Sequence, residues 1–326
     1  MLNRSWRCAA ALSGVLWSWP AVAAADWQAG LPVYDHIVIV MEENKDYEQI
    51  IPNKDAAFIN QLAADGALFT NMFGEEHNSE GNYFWLFSGS NQEVGFKDEI
   101  PKKKLTTSNL GQQLIKGGRS FKGYAEDLPS IGAEDEFVPS PCGRDCRYAR
   151  KHVPWVSFEN LPIGTTADSS SNLRFSDFPS DFSKLPTVSF VVPNQFNDMH
   201  SGNSSSLIKT GDVWLRDHLQ DYYLWAKDHN SLLIVTFDEN NDTSGATGPT
   251  DPRSADRVIK NRIATVFAGA RVKAGKYPEG NGITHVNILR TIEAMYGLAR
   301  SGAQQENAVR AGISDDFIIT DIFTTQ

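Results

Sequence analysis

Cysteine is scarce in this chain, three residues in 326. Cys8 lies near the N-terminus, and Cys142 and Cys146 stand in Pro-Cys-Gly-Arg-Asp-Cys. A cysteine-rich scaffold is therefore excluded. So is a cysteine-only zinc site, which needs two more ligands where only His152 is close in sequence. Basic runs are also missing. Lys and Arg number 30 against 40 Asp and Glu, a formal net charge of −10, so the chain carries no electrostatic footprint for nucleic acid. Beyond the N-terminus no segment is long or apolar enough to cross a bilayer, which excludes stable membrane insertion through a helix. An acidic protein that takes an anionic substrate needs a bound cation to offset the repulsion locally.

The N-terminus has the pattern of an export signal. Arg4 and Arg7 make a short positive region, Cys8 to Leu16 is mostly small and apolar, and Ala21-Val-Ala-Ala-Ala25 offers small residues for cleavage before Asp26. The two arginines are not adjacent, which argues against a twin-arginine route. Pro20 and the short apolar stretch argue against a retained anchor. Residues 1–25 are thus expected to leave, taking the net charge from −10 to −12, and the protein to be periplasmic or secreted. In an oxidising compartment the two remaining cysteines are expected to pair, Cys142 with Cys146. Residues 26–326 are read as one α/β domain.

Within it, apolar runs repeatedly end in polar clusters. Ile37 to Met41 is β-branched and apolar, as in a strand covered on both faces, and is followed by Glu42, Glu43 and Asn44. Ala56 to Ala64 has helical spacing before Gly66, and Ala67 to Phe73 reads as a second strand, so the three are expected to form a right-handed βαβ unit. Ser79 then stands at a helix N-cap, ahead of Tyr83, Phe84, Leu86 and Phe87. A serine there either only caps the helix or meets its positive end as a stabilised alkoxide. Residues 125–185, rich in Pro, Gly and Ser, form a long irregular excursion read as a cap. Leu185 to Pro193 is a strand that runs into Asn194 and onward to Asp198 and His200. A helix is expected to open at Gly211.

Ser231 to Phe237 hands Asp238 and Glu239 to its end. Adjacent acids repel unless a cation or proton sits between them, and a metal is the economical explanation. Residues 241–258 read as a polar loop and Asn261 to Ala270 as a further strand. His285 starts a helix closed by Gly297, where the dipole should lower its pKa. Residues 313–323 read as a surface tail.

These clusters resemble the bacterial phosphoesterase family of the alkaline-phosphatase superfamily, which contains acid phosphatases and phospholipases C. The resemblance rests on Glu43-Asn44, Ser79-Glu-Gly-Asn82-Tyr83, Tyr148-Ala-Arg-Lys151-His152-Val-Pro154, Asp198-Met-His200 and Asp238-Glu239, in that order over nearly the whole mature chain. Where this chain has Asn78 and Gly81 the family often has prolines. The resemblance implies an alkaline-phosphatase-like, mostly parallel sheet with helices on both faces. It also implies Ser79 as nucleophile, with Asn82 donating to a phosphoryl oxygen. One divalent metal, of unspecified identity, would sit on Glu43, Asn44, Asp238 and Glu239. Asp198 is either a further ligand or the partner that orients His200. His200 and His285 are the candidate acids, and Lys151 and His152 either meet the substrate phosphate or form a solvated basic turn.

The expected function is an exported, metal-dependent acid phosphatase that hydrolyses small phosphate monoesters through a phosphoserine. The alternatives are a phospholipase C acting on lipid phosphodiesters and a non-catalytic protein that binds a phosphate-like ligand. Oligomeric state is not legible in the residues.

Overall fold

The structure is a computed structural model that describes residues 30–94, 98–200, 205–241 and 261–324. The expected export signal, residues 201–202 and the polar loop beyond Asn241 lie outside the described residues.

The run after Tyr34 forms β1 (His36–Glu42). Ile37, Val38, Ile39, Val40 and Met41 are each fully buried, and burial of such side chains stabilises by about 1.5–3 kcal/mol apiece as an upper estimate. The principal elements after it are α1 (Tyr47–Ile50), α2 (Ala57–Asp65), β2 (Ala67–Phe73), α3 (Ser79–Ser88), α4 (Leu110–Lys116), β3 (Phe121–Ala125), β4 (Phe137–Val138), β5 (Tyr148–Ala149) and β6 (Asn172–Arg174). Then come β7 (Val188–Val192), α5 (Ser205–Ala226), β8 (Ser231–Phe237), β9 (Arg262–Gly269), β10 (Gly275–Tyr277), β11 (Ile283–Thr284), α6 (His285–Tyr296) and α7 (Glu306–Arg310).

Among the described residues, nine strands form the main sheet in the order β10-β2-β9-β8-β1-β7-β3-β6, with β11 beside β2. All run parallel except β9, which is antiparallel to both β2 and β8. In register, Ile39 lies between Phe190 of β7 and Ile234 of β8, and Glu42 lies beside Phe237. The residues that follow β7, β1 and β8 therefore leave the sheet side by side, at the carboxyl ends where open α/β sheets bind ligands. Glu42 lies near Asp212 of α5, whereas Glu43 takes a hydrogen bond from Tyr83 of α3. Successive residues of an extended chain point to opposite faces, so α5 and α3 cover opposite faces of the sheet. α2 packs with α5, and α4 and α6 pack with α3.

Several expectations change in the folded chain. β1 and β2 are not neighbours, because β8 and β9 are inserted between them. α5 begins at Ser205, six residues before Gly211. Gly211 is inside the helix, and a Cβ there would come within 2.6 Å of Met199, so the glycine serves close packing and does not mark the helix start. The 313–323 tail is only partly surface. Ile313, Ile319 and Ile322 are buried, and Asp315 binds Arg290 of α6. The 125–185 excursion carries the Cys142–Cys146 bridge and the β4–β5 hairpin. It also supplies the edge strand β6 and core residues Trp155 and Phe158. Trp155 rests on Gly123 of β3, where a Cβ would approach its ring to 2.0 Å. The excursion is thus half sheet edge and half rim.

Candidate active site

Three strand ends converge. After β1, Glu43 donates its backbone N–H to the Asp198 carbonyl at 2.7 Å. Asn44, with φ of 55°, donates its backbone N–H to Asp238 Oδ1 at 2.9 Å and its side-chain amide to Glu43 Oε2 at 2.7 Å. Asparagine tolerates this left-handed conformation better than most residues. Lys45 is buried and donates to the Met199 carbonyl at 2.7 Å, fastening the loop after β7 to the end of β1. His200 donates its backbone N–H to Asp198 Oδ1 at 2.7 Å.

The fourth contribution comes from the turn between β2 and α3. Ser79 is the first helical residue and Asn78 is the N-cap, so the expected capping role for Ser79 is corrected by one position. Its hydroxyl is consequently free to donate sideways, to Glu43 Oε2 at 2.9 Å, with Glu239 Oε1 at 3.5 Å. Tyr83, one helical turn on, donates its hydroxyl to Glu43 Oε1 at 2.7 Å. Asn82 points away from this cluster. Its Oδ1 accepts from the N–H groups of Glu75 and Glu76, and its amide donates to the Glu76 carbonyl at 2.6 Å. In this geometry Asn82 shapes the turn, its amide nitrogen also 3.5 Å from the Asn78 carbonyl, so among the described residues its hydrogen bonds are to the turn and none is to the acidic cluster. Gly81 has its own reason here: a Cβ would lie 1.6 Å from Glu76 Oε1.

Four carboxylates are thus buried together. Burial pushes Glu43 up to about 7, against the opposing pull of Lys151. Burial and mutual repulsion push Asp198, Asp238 and Glu239 well above the usual carboxylate range. His152 lies fully inside, stacked on Tyr83 at 5.0 Å, with Nε2 3.2 Å from Glu43 Oε1 and Nδ1 3.7 Å from Asp198 Oδ2. It faces the acids and not solvent, so it is placed as a ligand donor more than as a substrate contact. Burial and Lys151 push His152 well below the usual imidazole value and His200 down to about 4. Both are neutral imidazoles at pH 7.

Glu43, His152 and His200 offer ligand atoms all within 4.8 Å of one another. Among the described residues, the buried Asp198 Oδ2 accepts no hydrogen bond. Crowded carboxylates beside neutral imidazoles, with an orphaned oxygen among them, fit a hard or borderline divalent cation.

His285 is placed differently from expectation. It is fully buried, its Nδ1 is 2.5 Å from Glu75 Oε2, and its Nε2 is 2.8 Å from the Phe237 carbonyl. Burial works against its charged form, but Glu75 holds its pKa above the usual value, the reverse of the expected dipole effect. With both ring nitrogens engaged it can neither ligate a metal nor reach a leaving group. Lys151 does reach the rim, where Nζ donates to Asp98 Oδ2 at 2.7 Å. Burial alone would lower its pKa, and Glu43 and Asp98 hold it high.

Glu75, Lys45, Asp98 and His77 were not singled out from the residues, and Tyr83 was named only within its helix and motif, with no role of its own. His77 Nδ1 lies 2.7 Å from Glu239 Oε2 at the partly exposed mouth. Only Tyr83 had a usable signal, since it is four residues after Ser79 and so on the same helix face.

Residues 52–299 match the phosphoesterase family. A phosphatidylinositol-3-phosphatase of Mycobacterium tuberculosis is 42% identical over 311 residues, 92% of each chain. A probable acid phosphatase of Kluyveromyces lactis is 26% identical over 287 residues, 84% of this chain and 61% of that one, so this chain spans about three fifths of the yeast protein's length. The structure of a Vibrio parahaemolyticus protein in the alkaline phosphatase superfamily superposes with a TM-score of 0.53 at 12% identity, covering 84% of this chain and 70% of that one, a likeness of fold.

Proposed function

The chain belongs to the phosphoesterase family, and from that premise we propose that it is an exported, metal-dependent phosphatase that cleaves phosphate monoesters through a phosphoserine on Ser79. That it is a hydrolase of phosphoric ester bonds follows from the family and its phosphatase relatives. The nucleophile, the metal and the exported state are the proposal. One observation carries it: the Ser79 hydroxyl, at the positive end of α3, is 2.9 Å from a carboxylate in a buried acidic cluster.

Glu43, Asp238, Glu239 and Asp198 would hold the divalent ion, with His152 and His200 as nitrogen donors, and Asn44 orients two of the acids. When bound, the ion supplies charge neutralisation for phosphoryl oxygens and for the serine alkoxide. Ser79 Oγ gives up its proton to the Glu43 side and attacks phosphorus in line with the leaving oxygen. The first N–H groups of α3 and the Lys151 ammonium take the charge on the phosphoryl oxygens. His77, whose Nδ1 lies 2.7 Å from Glu239 Oε2, would carry a proton to the leaving alkoxide.

The relatives' names point to monoesters, and that of the Mycobacterium tuberculosis protein points to a phosphoinositide monoester as the first natural substrate to test. The measurement is turnover of p-nitrophenyl phosphate by Ser79→Ala. Loss of about a thousandfold or more is expected for removal of a covalent nucleophile; activity within a few-fold of the parent removes Ser79 from the reaction. A parallel assay with p-nitrophenyl-phosphorylcholine, hydrolysed faster than the monoester, would favour the diesterase alternative.

A further inference from the structure

Asp98 occupies two donors that a phosphoryl group on Ser79 would use. Its Oδ2 accepts from Lys151 Nζ at 2.7 Å, and its Oδ1 accepts the backbone N–H of Glu80 at 3.2 Å. Glu80 follows Ser79 as the second residue of α3, where N–H groups have no partner within the helix and the dipole favours an anion. Lys151 is the ammonium at the rim, drawn toward Glu43 and Asp98 together. Asp98's carboxylate therefore spans a main-chain donor and a cation as two phosphoryl oxygens would. The pair lies near the surface, with side-chain exposures of 27% for Asp98 and 14% for Lys151, so it can open without disturbing the core.

The geometry points to Asp98 as a built-in counter-anion that sets affinity for the phosphoryl group. It holds Lys151 and the α3 N–H in place while the cleft is free of ligand. It competes with phosphate for both donors and so favours release of the product. Asp98 is in this sense an affinity-determining residue, and its role rests on Ser79 being the phosphoryl acceptor. The charges are consistent with exchange: phosphate carries more negative charge than one carboxylate and gains more from the same ammonium.

The test is inorganic phosphate as a competitive inhibitor of p-nitrophenyl phosphate hydrolysis by the full chain, at fixed divalent metal. Asp98→Asn keeps an acceptor for the Glu80 N–H and removes the charge from Lys151. Phosphate inhibition is expected to tighten roughly two- to fivefold, with KM falling by a similar factor, the scale of one partly exposed charge pair. The unfolding midpoint should shift little. In a Lys151→Met background the same substitution should tighten phosphate inhibition much less, since only the Glu80 N–H is then contested.

Asp98→Ser gives a second reading should the amide variant fold poorly. Inhibition that is unchanged or weaker in both variants overturns the proposal, because Asp98 then only orients Lys151. Tightening that survives in full without Lys151 overturns it as well. If the parent protein neither turns over the ester nor binds phosphate, the assignment of Ser79 fails and this one goes with it. Normal turnover with unaltered phosphate affinity in the Asp98 variants removes this inference alone.

Discussion

At the scale of single residues, the unexpected participant is Tyr83. Its spacing and apolar neighbours read as core, and its ring is indeed buried against His152 and Phe190. Its hydroxyl, however, donates to Glu43 Oε1, the carboxylate whose other oxygen receives Ser79. One side chain thus packs the core and orients a candidate metal ligand. Tyr83→Phe keeps the ring and deletes the donor. Hydrogen bonds to charged groups contribute about 1.5–3 kcal/mol, and loss of such an orienting partner commonly lowers metal affinity about 10–100-fold. A drop of that order is expected in calorimetric titration of the metal-free protein with zinc or manganese. Unchanged affinity would reduce Tyr83 to packing.

Among elements, the notable joint is the one between α6, the β2–α3 turn and the end of β8. His285 at the start of α6 binds Glu75 of the turn and the Phe237 carbonyl, one residue before Asp238, while Glu75 Oε1 accepts the N–H of Val286. A buried ion pair of this kind clamps the Ser79 turn against the acid pair. Removing one partner leaves a charge unpaired in the interior, which costs about 3–5 kcal/mol. His285→Asn is expected to lose stability of that order in urea denaturation. Glu75→Gln combined with it should be less destabilised than the two single losses added together. The pH–rate profile should keep its shape in the folded fraction, since His285 touches no reacting atom. A lost limb of that profile would restore it as an acid.

Over the whole molecule, the buried acids tie stability to pH and to metal. Burial pushes Glu76 up to about 8 against the hydrogen bonds from Asn91, and burial together with Asp98 pushes Glu80 up to about 8. The usual value is 4.5. Below that value folded and unfolded chains are both protonated and the groups impose no penalty. As pH rises toward 8 the unfolded chain releases protons that the folded chain retains, so folding stability falls. Raised values at Asp198, Asp238 and Glu239 act in the same direction without metal, and outnumber the lowered values of His152 and His200, which act against it. The chelated protein is expected to melt at a higher temperature near pH 5 than near pH 8. A cation at a hundredfold its Kd adds about 2.7 kcal/mol, with more benefit at pH 8, where protons no longer compete for the ligands. Differential scanning calorimetry with EDTA or with divalent metal at the two pH values decides this. Greater stability of the chelated chain at pH 8 would contradict it.

Local order was legible in the residues because it depends on neighbours in sequence. β-branched runs gave β1, β7 and β8, and Gly297 closed α6 in the left-handed conformation that glycine adopts freely. Polar residues after those runs marked Glu43, Asp198 and Asp238 as strand-end groups. Two things were decided only by the tertiary structure. Which strands adjoin depends on long-range pairing, so β8 and β9 come between β1 and β2. Which way a polar side chain turns depends on what meets it in the interior. Asn82 and His285 satisfy buried donors and acceptors, while Tyr83 and His152 turn toward the acids. A buried polar atom must find its partner wherever the chain supplies one, and a partner 210 residues away in sequence, as Glu75 is from His285, leaves no local trace.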